Sequence, residues 1–377
     1  MHVFRHTPTV LLTALAAVIL VPAPARACNI PVFRFALDRW PSDAYRLTVF
    51  HRGPLSAEQR DSIKAMEKHA DGKHPVVALE LVDLAANPNG VEGIPVPKDG
   101  SEFPWLVVRY PAATRINVPI WSGPLLAGVP AALLDSPARR EIGRRIQGGD
   151  SAVWVLLTSG DDAKDAAAEM RIRTEVQRLE KELKLPTLTA NPEDQLLGEE
   201  ARPLKLAFSV LRVGRKDPTE EMLVRMLLNT EDDLAGRSDP MVFPVFGRGR
   251  AMPALVGAGI TPENIKEAAA FLAGPCSCEV KRDNPGVDLL LTIDWGQVPT
   301  PLNFVAGSPV PAGTIVPIPQ PAPVSVTEPA PEPAPLASSA LPTVSPRHLL
   351  LVGIGIAGVL VVFTGTMLVR SRRRRTV

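Results

Sequence analysis

Between Cys28 and Trp295 the apolar positions switch repeatedly between a strand-like run and a helical stripe. Tyr45 to His51 is a short β-rich run. Ser56-Ala57-Glu58-Gln59 then reads as a capping box, and Ile63, Met66 and Ala70 fall on one helical face. Val76 to Val82 is nearly continuous in apolar residues, which suits a strand buried on both sides of a sheet. A Pro- and Gly-rich loop leads to Phe103-Pro104-Trp105-Leu106-Val107-Val108, a strand introduced by proline, and a further strand is expected near Ile116 to Trp121. Ser136-Pro137 supplies a capping side chain before a proline at the first helical position, and Gly148-Gly149 closes that helix.

The same order then recurs. Ala152 to Thr158 reads as a strand, and Ala163 to Leu185 as a long helix with Ile172, Val176, Leu179 and Leu183 on one stripe. That stripe is too short for a coiled coil and predicts a helix packed on its own sheet. Leu204 to Val213 is a strand, Asp217-Pro218 opens a helix, and Pro240-Met241-Val242-Phe243 introduces another strand by proline. Thr261-Pro262-Glu263 starts a helix that stops at Gly274-Pro275, and a last strand is expected at Val287 to Ile293. The pattern predicts an α/β chain with two repeats, each of βαβ then ββα order.

The ends of the chain read differently. Arg5 and His6 precede an apolar run from Val10 to Val21, and Ala25-Arg26-Ala27 offers a cleavage site before Cys28, which is the plan of a secretory signal peptide over 1–27. The apolar run is short for the roughly 30 Å of hydrocarbon in a bilayer, against the reading as a retained anchor. A cysteine directly after the site also fits lipid attachment, although Arg26 and the lack of an upstream Leu speak against it. Leu349 to Val369 carries no charge and has the roughly 20 residues that a spanning helix needs. Arg370 and Arg372 to Arg375 follow it and place the tail, 370–377, in the cytoplasm. A cleaved C-terminal sorting signal has the same plan and stays open. Gly353 to Gly358 fits G-x-G-x-x-G, but inside such a helix it offers no backbone N–H groups to a pyrophosphate, and Gly353 and Ala357 suit close helix approach instead.

Composition sharpens the division. Of the 40 prolines, twelve lie between Pro309 and Pro346, which marks 297–348 as a disordered, extended linker. The predicted organisation is therefore a signal peptide (1–27), two domains (28–149 and 150–296), the linker, the membrane helix and the tail. The 41 Lys and Arg against 40 Asp and Glu leave no polybasic surface for nucleic acid.

The order of elements and the two proline-led strands resemble tandem thioredoxin-like domains over roughly Tyr45 to Trp295. The resemblance implies a cis-proline before the third strand of each repeat, at Pro104 and Pro240. Cys28-Asn29-Ile30-Pro31-Val32-Phe33-Arg34 and Cys276-Ser277-Cys278 also resemble segments of an uncharacterised family of exported bacterial membrane proteins, which implies no activity. A redox-active thioredoxin carries C-x-x-C where its first strand meets its first helix, since the helix N-terminus stabilises the thiolate. Here those turns read Arg52-Gly53-Pro54-Leu55 and Gly160-Asp161-Asp162-Ala163, without sulfur.

The three cysteines, Cys28, Cys276 and Cys278, support three readings: a structural disulfide from Cys28 to one of the pair, a soft-metal site for copper or zinc, and a strained redox C-x-C. His51, His69 and His74 read as surface histidines, and Glu231-Asp232-Asp233 as a solvated loop. No metalloprotease, hydrolase or Walker motif occurs, and no cofactor is predicted. Trp105, Tyr110 and Trp121 form a candidate binding surface that competes with a core assignment. The leading expectation is a single-pass membrane protein whose domains lie outside the cytoplasm, redox-inactive, with an extracytoplasmic protein partner. The alternative is a thiol-redox or metal-handling protein of the cell envelope that uses Cys276 and Cys278.

Overall fold

The structure, a computed structural model, describes residues 28–71, 75–98, 100–197, 204–276 and 280–295. The expected signal peptide, His74, Cys278, the proline-rich linker, the expected membrane helix and the arginine tail lie outside the described residues. Those that are described belong to one compact unit of mixed α/β structure, with seven α-helices and two sheets. None of these helices is long and apolar enough to cross a membrane.

The chain opens with helix α1 (Val32–Arg39) and enters β1 (Tyr45–His51). Ser56 caps α2 (Ala57–Glu67): its hydroxyl accepts from the Gln59 N–H, and the Gln59 side chain accepts from the Ser56 N–H in return. This helix buries Ile63 and Met66 and returns the chain to β2 (Val77–Asp83), which runs parallel to β1 as a crossover helix allows. A long loop then leads to β3 (Trp105–Arg109), antiparallel to β1, and β4 (Pro119–Pro124), antiparallel to β3. The first sheet has the order β2-β1-β3-β4.

Helices α3 (Val129–Leu134) and α4 (Pro137–Gly148) join this sheet to the next. Central strand β5 (Ala152–Leu157) is followed by α5 (Asp162–Glu182), with Asp161 accepting from the N–H groups of Ala163 and Lys164. Next come β6 (Phe208–Val213), parallel to β5, α6 (Glu221–Leu228), β7 (Met241–Phe246), antiparallel to β5, and the short strands β8 (Arg250–Ala251) and β9 (Leu255–Val256). Helix α7 (Pro262–Ala273) and β10 (Val287–Asp288) complete the chain. The second sheet runs β10-β8-β7-β5-β6. Leaving β10 aside, both sheets place their strands in the order second, first, third, fourth.

Three corrections to the expected pattern arise here. Strand β2 is not buried on both sides: it is an edge strand of the first sheet, with Ala78, Glu80 and Leu81 exposed. The Phe103–Pro104 bond before β3 is cis, whereas the bond to Pro240, at the matching place before β7, is not. A trans X–Pro bond is the default by about 0.5–1 kcal/mol, and tertiary context rather than the local sequence decides each case. The strand expected at Val287 to Ile293 is cut to two residues. Its remainder, Leu289, Leu290 and Leu291, is buried side by side as irregular chain between the sheets.

One face of each sheet meets a common core. Tyr45, Leu47 and Val49 of β1 and Val153, Val155 and Leu157 of β5 belong to the same buried cluster. The other face of β5, with Ala152, Trp154 and Leu156, packs on α1, α5 and α7. All six β5 residues are buried, which explains its unbroken apolar run. The other face of the first sheet is covered at one end, where Phe50, Val82 and Val107 pack beneath Leu84 and Ile94 of the long loop.

Candidate functional site

The cysteine segments meet at the base of the second sheet. Helix α7 stops at Gly274-Pro275, since proline cannot continue it, and the chain turns onto the first described residues. The Val32 N–H donates to the Gly274 carbonyl at 3.0 Å, the Cys276 N–H to the Ile30 carbonyl at 2.9 Å, and Pro31 and Pro275 form an antiparallel bridge. Cys28 and Cys276 are each 1% exposed and lie in one apolar cluster. A loop clamps this junction from outside. The Asp194 carboxylate accepts from the Asn29 N–H at 2.7 Å, the Asn29 side chain at 3.0 Å, the Thr189 N–H at 2.9 Å and the Thr189 hydroxyl at 2.6 Å. Those bonds, the Thr189 hydroxyl and the Asn29 amide foremost, hold the Asp194 pKa far below the usual carboxylate range. Among the described residues no group of three or more His, Cys, Asp or Glu side chains is arranged to hold a metal ion.

The two strand-to-helix turns are filled by other chemistry. In the first, the Arg52 guanidinium lies over the ring of Phe103, 4.9 Å from its centroid, beside the cis-proline. In the second, Asp165 is fully buried and accepts from the Ser159 N–H and hydroxyl, both at 2.7 Å, and from the Gly160 N–H at 3.1 Å. Burial pushes the Asp165 carboxyl up, but these bonds outweigh it and hold the pKa below its ordinary value. The donors that a helix N-terminus would offer to an anion or a thiolate are thus partly consumed from within.

Of the aromatic residues proposed as a surface, Tyr110 and Trp121 are in the core, at 0% and 1% exposure. The Tyr110 hydroxyl donates to the Met226 carbonyl at 2.8 Å, which fastens β3 to α6 of the other half. Trp105 is half-buried under the long loop. The described histidines do not assemble: His51 Nδ1 lies 2.9 Å from its own turn's Gly53 carbonyl, and burial lowers the pKa of His69. The acidic loop is exposed at Asp232 and Asp233, as expected, while Glu231 is half-buried. Glu231 accepts from the Ala254 N–H at 2.9 Å, and Asp233 pairs with Arg237 at 2.6 Å.

A buried polar hub between the halves gives no local signal in the sequence. Arg139, 1% exposed, donates through Nε to the Ser136 hydroxyl at 3.0 Å and through its terminal nitrogens to the carbonyls of Ala132, Leu133 and Leu290. Burial lowers its pKa to about 10, with Asp135 and Glu220 opposing the shift. Glu220 reaches across from the second half and accepts from the Ser136 hydroxyl at 2.6 Å and the Ala138 N–H at 2.7 Å. A second such group joins Arg250 to Asp288 at 3.1 Å, both nearly buried, with Lys281 also on the Asp288 carboxylate. These charges are held by tertiary partners, and Arg250, Lys281 and Asp288 also line a small cleft with Ala36, Trp40 and Arg248.

Comparison with known proteins gives no matching family model, no matching curated protein and no matching solved structure.

Proposed function

We propose that the chain is a membrane-anchored pair of thioredoxin-like domains, held outside the cytoplasm, that lacks dithiol chemistry and serves as a binding or scaffold protein. The shared strand order of the two sheets, with parallel first and second strands and antiparallel third and fourth, supports the fold reading. The observation that carries the functional reading is the content of the two turns where a dithiol would stand. One holds Arg52 against Phe103 and the other is closed by Asp165, and neither has sulfur. The cysteines that are described lie buried elsewhere, which supports a structural role for Cys28 over lipid attachment. The apolar segment 349–369 and the linker 297–348 would carry the domains on the membrane and away from it, facing a protein partner outside the cytoplasm. The alternative redox or metal use of Cys276 and Cys278 needs a thiol within reach of a partner, and Cys276 is buried.

Insulin reduction by dithiothreitol, with the full chain added, tests this reading. The rate should match that of dithiothreitol alone. Robust catalysed turnover would overturn it.

A further inference from the structure

Strand β1 alternates cleanly between two faces. Tyr45, Leu47 and Val49 point into the common core, so Arg46, Thr48 and Phe50 line the opposite face. Across that face the register sets Ala78, Glu80 and Val82 of β2 on one side and Arg109, Val107 and Trp105 of β3 on the other. The apolar cover provided by the long loop reaches Phe50, Val82 and Val107. Beyond it Ala78 and Glu80 are exposed, while Arg46 and Arg109 are half-buried.

Arg46 and Arg109 are direct cross-strand partners. Like charges placed opposite each other on one face of a sheet repel, and an antiparallel pair ordinarily avoids them. Arg46 places its Nε on the Tyr110 carbonyl at 3.0 Å. The Nε of Arg109 is buried with no acceptor. Neither guanidinium forms an ion pair with a carboxylate among the described residues. Glu80 is the acidic group near Arg109, and it is exposed to water on β2, beyond the intervening strand β1. Burial, then the charge of Arg46, pulls the Arg109 pKa below its ordinary value, against the opposing pull of Glu80. Two cations are therefore fixed side by side, with a buried donor left over, on a part of the sheet that the apolar cover leaves open.

We propose that Arg46 and Arg109 form a binding site for a phosphate group, either free or on a small soluble monoester. A guanidinium presents its N–H groups as a planar fork that suits phosphate oxygens, and a dianion compensates both charges where a single carboxylate compensates one. The site lies on the face of the first sheet opposite the common core, formed by residues of the central strands β1 and β3.

The test is thermal unfolding of the full chain, followed by tryptophan fluorescence, with inorganic phosphate titrated at constant ionic strength against chloride. A ligand that binds only the folded state raises the midpoint. The expected result is a saturable rise of roughly 2–4 °C, reproduced by glycerol phosphate, smaller with acetate, and lost in Arg46→Gln and in Arg109→Gln. Phosphorus NMR line broadening should report the same loss without reference to stability. Should Arg109→Gln fail to fold, Arg46→Gln carries the test, because its side chain is half-exposed. No saturable rise in the wild-type chain, or an equal rise in the variants, overturns the proposal.

Discussion

Asp194 is a single carboxylate that anchors the first described residues alongside their backbone pairing to the end of α7. Its four accepted bonds come from Asn29 and Thr189, two residues far apart in the chain. All four favour the ionised form, so its folded pKa is depressed from an unfolded value of about 3.9. The contribution to stability is therefore complete above the unfolded value and disappears as the pH falls through the folded one. Asp194→Asn should lower the urea midpoint at neutral pH, because the amide sets donors against donors. The loss should shrink as the pH is lowered, since the wild-type carboxylate gives up its advantage there. Urea melts of both proteins from pH 7 to pH 2.5 check this, and a difference that stays constant with pH would assign the effect to packing alone.

At the scale of elements, the N-terminus of α4 shows how a local signal becomes a joint between halves. Ser136-Pro137 marks the cap in the sequence, and Ser136 does accept from the Arg139 N–H. The same hydroxyl also receives the Arg139 Nε and donates to Glu220, and both of those side chains are buried. Ser136→Ala should thus cost more than the roughly 0.5–2 kcal/mol of a lost cap. With two buried charged groups each losing a partner, about 2–4 kcal/mol is expected, read as a lower urea midpoint at unchanged slope. Ser136→Thr, which retains the hydroxyl, should recover most of it.

Other elements divide by the same logic. Strands β1, β5 and β7 and helices α2, α4, α5 and α7 are legible because each has a full period of apolar positions or a cap. Helices α1 and α3 are not. Their eight and six residues offer too little periodicity, Pro31 before α1 gives no capping side chain, and both are formed by burial against sheets that the local sequence does not contain. Leu289 to Leu291 reads as a strand for the opposite reason. Its apolar run is real, and the Leu289 N–H still bonds to the Gly249 carbonyl beside β8, but the Leu290 N–H turns to the Met226 sulfur and its carbonyl to Arg139, so the ladder stops there. The sulfur-free turns could be read directly from position, whereas Arg139 and Glu220 look like surface charges until the second half is folded against the first.

The whole molecule is closed by pairing between its distant segments. The common core joins both sheets, and the Pro31–Pro275 bridge brings the first described residues against the end of α7. Cys28 thereby shares a buried cluster with Cys276, and Cys278 stands two residues further along the sequence. A disulfide from Cys28 to a cysteine of this segment would close almost the entire globular region into one loop. In the chain-entropy model such a bond contributes roughly 3–5 kcal/mol, less any strain. The prediction is that the full chain, exported to an oxidising compartment and treated with a thiol-blocking reagent under denaturing conditions, gains one label by intact mass. After reduction it should gain three, equal to its three cysteines. Peptide mapping then identifies whether Cys276 or Cys278 is the partner. Cys28→Ser should free the partner thiol and lower the urea midpoint by an amount that reduction of the wild-type protein reproduces. Three labels without reduction would remove the staple, leaving the hydrogen bonds of Asp194, Ile30 and Gly274 to hold the N-terminal segment, and would return Cys276 and Cys278 to consideration as a reactive or metal-binding pair.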